Sequence, residues 1–224
     1  MNRREVEQNL KEIGNPAALN LSEADLSGAD LSGLDLQGAN FQGAKFVKAK
    51  LRKANLTGAN LANCDFSGAN LSRVIFSAAD LRKAFLAGVN LTEALLMEAN
   101  LCGANLNQAI CSGANFSRAR LDSADLRLAS LDESDLSQAS LVGTKLGRAD
   151  LNRAKLTGAD FSRAIMIRTH LSRATARSAI FSEADLSGAN VDGTDFAGAD
   201  LSTAILAEVN LALANYRGAK LPES

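Results

Sequence analysis

A large apolar residue recurs at every fifth position from Leu21 to Leu221, in one register and without insertion. Leu or Phe fills 36 of these 41 centres, and the exceptions are Cys111, Met166, Ala176, Val191 and Tyr216. Two positions before each centre stands a small residue, usually Ala, and between the two lies a polar one, usually Asp or Asn. Ala184-Asp185-Leu186-Ser187-Gly188 shows the whole unit. A spacing of five matches neither the 3.6-residue period of a helix nor the two-residue period of a strand, so no single regular element can bury the Leu row. The backbone must turn once per unit.

Three extended residues point the first and third side chains inward and the middle one outward, which accounts for small, polar and large in that order. The remaining two residues form a corner. Fifteen of the 17 glycines stand two positions after a centre, where a turn of positive φ suits glycine; only Gly14 and Gly147 fall elsewhere. Corners of one hand wind the chain into a coil whose turns stack as parallel strands roughly 4.8 Å apart around a Leu and Phe column. Periodicity leaves the number of sides open. Three aromatic pairs 20 residues apart, Phe46/Phe66, Phe161/Phe181 and Phe196/Tyr216, favour four.

Before the repeats, residues 2–13 read as an amphipathic helix with Val6, Leu10 and Ile13 on one face, ended by Gly14 and Pro16. An open coil end exposes core and unpaired strand edges, so Val6, Leu10 and Ile13 are expected to cap the first coil.

Units such as Ala29-Asp30-Leu31-Ser32-Gly33 and Ala59-Asn60-Leu61-Ala62-Asn63 resemble the A(D/N)LXX repeat of the pentapeptide-repeat proteins. The resemblance covers most of the chain. It implies an all-β fold, a right-handed four-sided parallel β-helix of about ten coils and on the order of 50 Å in length, with the short N-terminal capping helix in addition. The expected organisation is a helix cap and linker over 1–19, the β-helix over 20–221 and a tail over 222–224. Members of this family include gyrase-protecting proteins that mimic DNA and cyanobacterial developmental regulators, so the resemblance sets fold and not function.

Composition narrows the function classes. No run of 18 apolar residues is present and the first residues are charged, so neither a membrane span nor a signal peptide is expected. Three cysteines, Cys64, Cys102 and Cys111, lack metal-ligand spacing; Cys64 and Cys111 fall at inward positions and read as small hydrophobes of a reducing cytoplasm. With one histidine, His170, and an Asp/Asn ladder explained by the repeat, no catalytic, cofactor or metal residues are expected and the chain is read as a non-enzyme. The carboxylates Asp132, Glu133 and Asp135 read as solvated surface.

Charge then picks out segments. The net charge is −1, whereas a DNA mimic should be acidic along its length. Basic bands at 45–53 and 145–177 further disfavour mimicry. Nucleic-acid binding is also disfavoured, because acids are interspersed and exposed aromatics are few. The second band coincides with outward isoleucines. In a four-sided coil Leu128, Lys145, Arg148, Ile165, Ile167, Arg168 and Ile205 share one face, and Arg with aliphatic anchors suits a protein partner. The chain is therefore read as a scaffold for an unidentified protein partner, with a DNA-mimic inhibitor or protector of type II topoisomerase as the alternative. No second capping helix is foreseen near Leu221, so a homodimer through the C-terminal coils is a further expectation.

Overall fold

In the computed structural model, which describes residues 1–223, the outward residue before nearly every centre forms a parallel bridge with the residue 20 positions later, from Asn20–Asn40 to Asp200–Lys220. Twenty residues therefore make one coil of four five-residue sides. The bridges are single-residue contacts between corners and not extended strands, because only three residues per unit are extended. Leu146 shows the bonding. Its N–H donates to Ile165 O at 2.7 Å in the next coil, its own carbonyl accepts from Ala149 N at 2.9 Å to close the turn, and Arg148 N donates to Ile167 O at 3.0 Å.

The third residue of nearly every turn is left-handed, as a type II turn requires, with Thr203 and Leu213 as the exceptions. Glycine fills many of these corners, but Lys, Arg, Glu, Gln and others also adopt φ near 60°, for example Arg148 at 58°. Here the repeat overrides the ordinary preference of L-residues for negative φ. The Asp/Asn ladder holds these corners. Asp25 Oδ1 accepts from Ser27 N at 3.0 Å and Asp185 Oδ1 from Ser187 N at 2.9 Å. The same donors keep the carboxyls acidic: the Ser27 hydroxyl and amide lower Asp25, and those of Ser202 bring Asp200 to about 2.

Inward positions form one continuous apolar column. Phe46 and Phe66 stack at 4.9 Å, and Phe161 and Phe181 at 5.1 Å. The third expected pair does not form. Tyr216 is 44% exposed, and Phe196 instead meets Phe181 edge-on at 5.7 Å. The inward Met166, Thr169 and Ala176 are all fully buried, and Thr169 Oγ1 donates to Leu146 O at 2.9 Å, so the polar substitution leaves no unpaired hydroxyl. Cys64 and Cys111 are buried, and burial pushes both thiols up to about 12.

Helix α1 spans Arg3–Ile13, with Asn2 as N-cap, a reciprocal Asn2–Glu5 capping box, and left-handed Gly14 at its end. A short 3-10 turn, Pro16–Ala18, leads into the coils. Val6 is fully buried and Leu10 packs against the core, but Ile13 is 41% exposed and takes no part in covering the first coil. The reason lies in where the helix is tied. The Met1 amine donates to Asp25 O at 2.6 Å, and Arg3 Nη1 to Asp30 O at 3.3 Å and Ser32 O at 3.0 Å. All three ties precede the second turn, so nothing draws the last turn onto the coil. In later coils the matching carbonyls, Lys45 O, Lys50 O and Arg52 O, accept from the coil before, at Leu26, Leu31 and Gly33 N. The N-terminal segment thus supplies donors where a preceding coil is missing.

At the other end the pattern loosens. The Asn190–Asn210 bridge is absent among the described residues, and Gly193 N reaches Leu213 O, one residue beyond the usual partner. Leu213, at an outward corner position, is 67% exposed. Of the expected tail, Ser224 lies outside the described residues.

Candidate functional site

Bridges Asp125–Lys145, Lys145–Ile165, Ile165–Asp185 and Asp185–Ile205 set one row along the rod. The corner beside it carries Leu128, Arg148 and Arg168 at successive turns, all left-handed. Between row and corner runs a groove of about 670 Å³, which brings together five of the expected residues: Leu128, Lys145, Arg148, Ile165 and Ile167. Arg168 continues the corner row beside it, and Ile205 lies two coils past Ile165, so neither lines the groove.

Three lining residues, Asn107, Arg127 and Gly147, escape the reading from sequence. Asn107 and Arg127 were legible in principle, because both precede Gly147 in its own column at intervals of 20. Gly147 was flagged by its place off the glycine register. Unlike the corner glycines its φ is not left-handed, and an added Cβ would meet only Ile167 O at an ordinary 3.7 Å. Neither turn geometry nor crowding demands glycine here. What the missing side chain does is open the groove floor.

Leu128 is the second irregularity. Among the described residues it is the only bulky aliphatic side chain at a left-handed corner, with φ 61°, and it is half exposed. The left-handed region costs an L-residue roughly 1–2 kcal/mol, and Leu128 recovers little of this by burial. The left-handed φ is shared with other non-glycine corners such as Arg148 and Arg168, so what sets Leu128 apart is an aliphatic side chain presented to solvent.

The charges around the groove are uneven. Arg127 is neutralised: its guanidinium donates to Asp125 at 2.5–2.8 Å and thereby holds the Asp125 carboxyl below its usual range. Lys145, Arg148 and Arg168 have no carboxylate within salt-bridge distance among the described residues. The site is an apolar floor of Leu128, Ile165 and Ile167 with unpaired cations beside it.

The carboxylates read from sequence as solvated surface are engaged with neighbouring side chains. Asp132 accepts from Ser112 Oγ and Ser130 Oγ at 2.5 and 2.8 Å, Glu133 pairs with Arg153 at 3.0 Å, and Asp135 with Lys155 at 4.0 Å. His170 is exposed. No group of His, Cys, Asp or Glu among the described residues is placed to hold a metal ion, and no helix is long and apolar enough to cross a membrane. Ile75 and Leu95 also bridge, with Met97 39% exposed nearby, but those residues carry no comparable cationic groove.

Comparison with known proteins adds a family. The pattern described as pentapeptide repeats matches in eight copies, over residues 20–58, 54–92, 94–132, 134–173, 154–193 and 184–221. Among solved structures, HetL, a pentapeptide-repeat protein involved in heterocyst differentiation regulation from the cyanobacterium Nostoc sp., is 36% identical, with 100% of this chain and 98% of that chain covered and a TM-score of 0.47. QnrB1, a plasmid-mediated fluoroquinolone resistance protein, is 18% identical over 91% of each chain with a TM-score of 0.49. Rfr23 from the cyanobacterium Cyanothece is 27% identical over 60% of this chain and 93% of its own, with a TM-score of 0.35. Comparison with curated proteins gives no match.

Proposed function

The chain belongs to the pentapeptide-repeat family, and on that premise we propose that it is a non-catalytic scaffold or regulator that binds a protein partner through the Leu128–Ile167 face. In this reading the rod is a right-handed β-helix of about ten coils, capped at one end by α1. The observation that carries the reading is the convergence of Leu128, Ile165 and Ile167 with unpaired Lys145 and Arg148 in one groove on a rigid surface. Apolar anchors beside Arg are the composition of binding hot spots. The 36% identity with HetL along nearly its whole length supports a regulatory use of such contacts.

Replacing Arg148, Ile167 and Arg168 together with Ala is expected to abolish capture of the partner from an extract of the source cells. The far-ultraviolet spectrum and melting point should stay unchanged, because all three side chains are exposed. A triple variant that captures everything the parent captures would make this face ordinary solvated surface.

Topoisomerase binding by DNA mimicry is the weaker alternative. Each outward column mixes signs; one reads Asp125, Lys145, Ile165, Asp185, Ile205. Phosphate-like charge every few ångströms is therefore not reproduced. Purified gyrase should supercoil DNA at the same rate with and without the protein, and inhibition at low protein concentration would revive the alternative.

The loosened C-terminal coil supports a second contact. Leu213, Tyr216 and Leu221 are exposed together at one end of the column, and we propose that this end pairs with a second copy of the chain. Sedimentation equilibrium should show a dimer for the parent and a monomer for Leu213→Glu with Tyr216→Glu. A parent that stays monomeric at every concentration would end the proposal.

A further inference from the structure

The groove above Gly147 constrains what kind of segment can enter it, given the reading that this face binds a protein. Main-chain recognition is limited first. A partner strand adds to a continuous run of free N–H and C=O groups, and most of those along this face are spent between coils. Lys145 N donates to Ala124 O at 3.0 Å, Leu146 N to Ile165 O at 2.7 Å and Arg148 N to Ile167 O at 3.0 Å. The Gly147 and Ile167 amides are not among these donors, but they recur only once per coil and make no strand edge. Side chains therefore supply most of the grip, which favours a segment whose own backbone is already satisfied. An α-helix is such a segment.

Spacing agrees. Successive coils are roughly 4.8 Å apart, and helix positions i, i+3 and i, i+4 rise roughly 4.5 and 6 Å. Alternate residues of a strand rise roughly 6.6 Å and fall out of step within two coils. Apolar side chains on one helix stripe can thus meet Leu128, the gap over Gly147, and Ile167, which belong to three successive coils. The charge on that helix is also set. Lys145, Arg148 and Arg168 lack acidic partners among the described residues, whereas Arg127 is occupied by Asp125. Carboxylates flanking the apolar stripe would complete the three free cations.

We propose that the Leu128–Gly147–Ile167 groove seats one amphipathic α-helix of a partner protein, carrying an aliphatic stripe flanked by Asp and Glu, with one apolar side chain entering the gap above Gly147. Gly147 is then a specificity position. A larger side chain there would fill the seat without disturbing the backbone, since a Cβ at this position would have Ile167 O as its nearest neighbour, at 3.7 Å. Leu128 keeps its strained corner because it forms one wall.

The probe is a fluorescent synthetic helical peptide with Leu at i, i+3, i+4 and i+7 and Glu on both flanks, titrated against the full chain by anisotropy. Comparison peptides carry the same residues scrambled, or Lys in place of Glu; a DNA duplex is the fourth probe. The Glu peptide should bind at least about tenfold more tightly than the scrambled or Lys peptides, and about tenfold corresponds to one good contact. Gly147→Leu and Leu128→Gly should each weaken it about tenfold. Gly147→Leu should melt like the parent, and Leu128→Gly at or above it, because glycine relieves the left-handed corner. Equal binding of Glu and scrambled peptides, unaffected binding by both variants, or preference for the duplex would overturn the proposal. If no peptide binds while the triple Ala variant still loses the cellular partner, the helix is wrong and the scaffold reading stands. If the triple variant keeps that partner, the scaffold reading itself falls.

Discussion

Leu131→Asp is expected to remove most of the folded, soluble protein. Leu131 is fully buried, and Cys111 and Leu151, its neighbours 20 residues away in either direction, are buried as well. Its N–H donates to Asp150 O at 2.6 Å, and its carbonyl accepts from Ser134 N and Ser134 Oγ at 3.1 and 2.6 Å, so the backbone cannot swing the new side chain outward without breaking a coil-to-coil bond. Truncating a buried Leu costs roughly 2–5 kcal/mol, and an unpaired carboxylate in an apolar column adds to that. Against a total stability of about 5–15 kcal/mol for a typical domain, one such change removes much of the margin. In a solenoid each coil is stabilised by its neighbours, so a failed middle coil separates two halves. The variant should be insoluble, or melt more than about 10 °C below the parent at 2–4 °C per kcal/mol. Leu131→Met, which conserves volume, should cost under about 1.5 kcal/mol. A Leu131→Asp protein that melts like the parent would mean that this side chain is not in the core.

The fold was legible because one repeat sets everything at once. The five-residue period fixed which side chains face in, and the Phe46/Phe66 and Phe161/Phe181 pairs gave the 20-residue coil. The third pair misled because an inward ring is enclosed only while a following coil covers it. The Asp195–Asn215 bridge and the Phe196 N–Asn215 O bond at 2.7 Å keep the backbone beside Tyr216 in register, yet among the described residues no coil stacks beyond it and its ring is 44% exposed. Ile13 misled for a related reason: helical periodicity says which residues share a face, but not how far along the helix that face stays in contact. The candidate face was half legible. Its members follow from adding 20, which needs no coordinates. The groove does not follow, because its depth comes from an absent side chain at Gly147, and a glycine outside the corner register reads as a lapse in the repeat until its unremarkable φ is known. Leu128 was found as an exposed apolar residue, while its left-handed corner marks it as a strained one.

Val6→Asp tests the opposite end and should produce association of otherwise folded coils. Val6 is the fully buried residue of α1, and with Leu10 it carries the helix's apolar contact to the core. The remaining ties are the Met1 amine and Arg3 on the carbonyls of Asp25, Asp30 and Ser32. These bonds are exposed or half-exposed and exchange readily with water, so they do not hold the helix once its apolar contact is lost. Burying a carboxylate beneath α1 costs several times what a surface change does, so the helix should undock. Leu19 and Leu26, now 2% and 0% exposed, would then face solvent beside a row of unpaired carbonyls. A free row of backbone acceptors next to apolar surface is a template for another chain. Size-exclusion chromatography should therefore show oligomers or a void-volume peak for Val6→Asp while the far-ultraviolet β signal persists. Ile13→Asp should elute like the parent, since Ile13 is already exposed. If Val6→Asp elutes and melts as the parent does, α1 is an appendage and the first coil needs no cover.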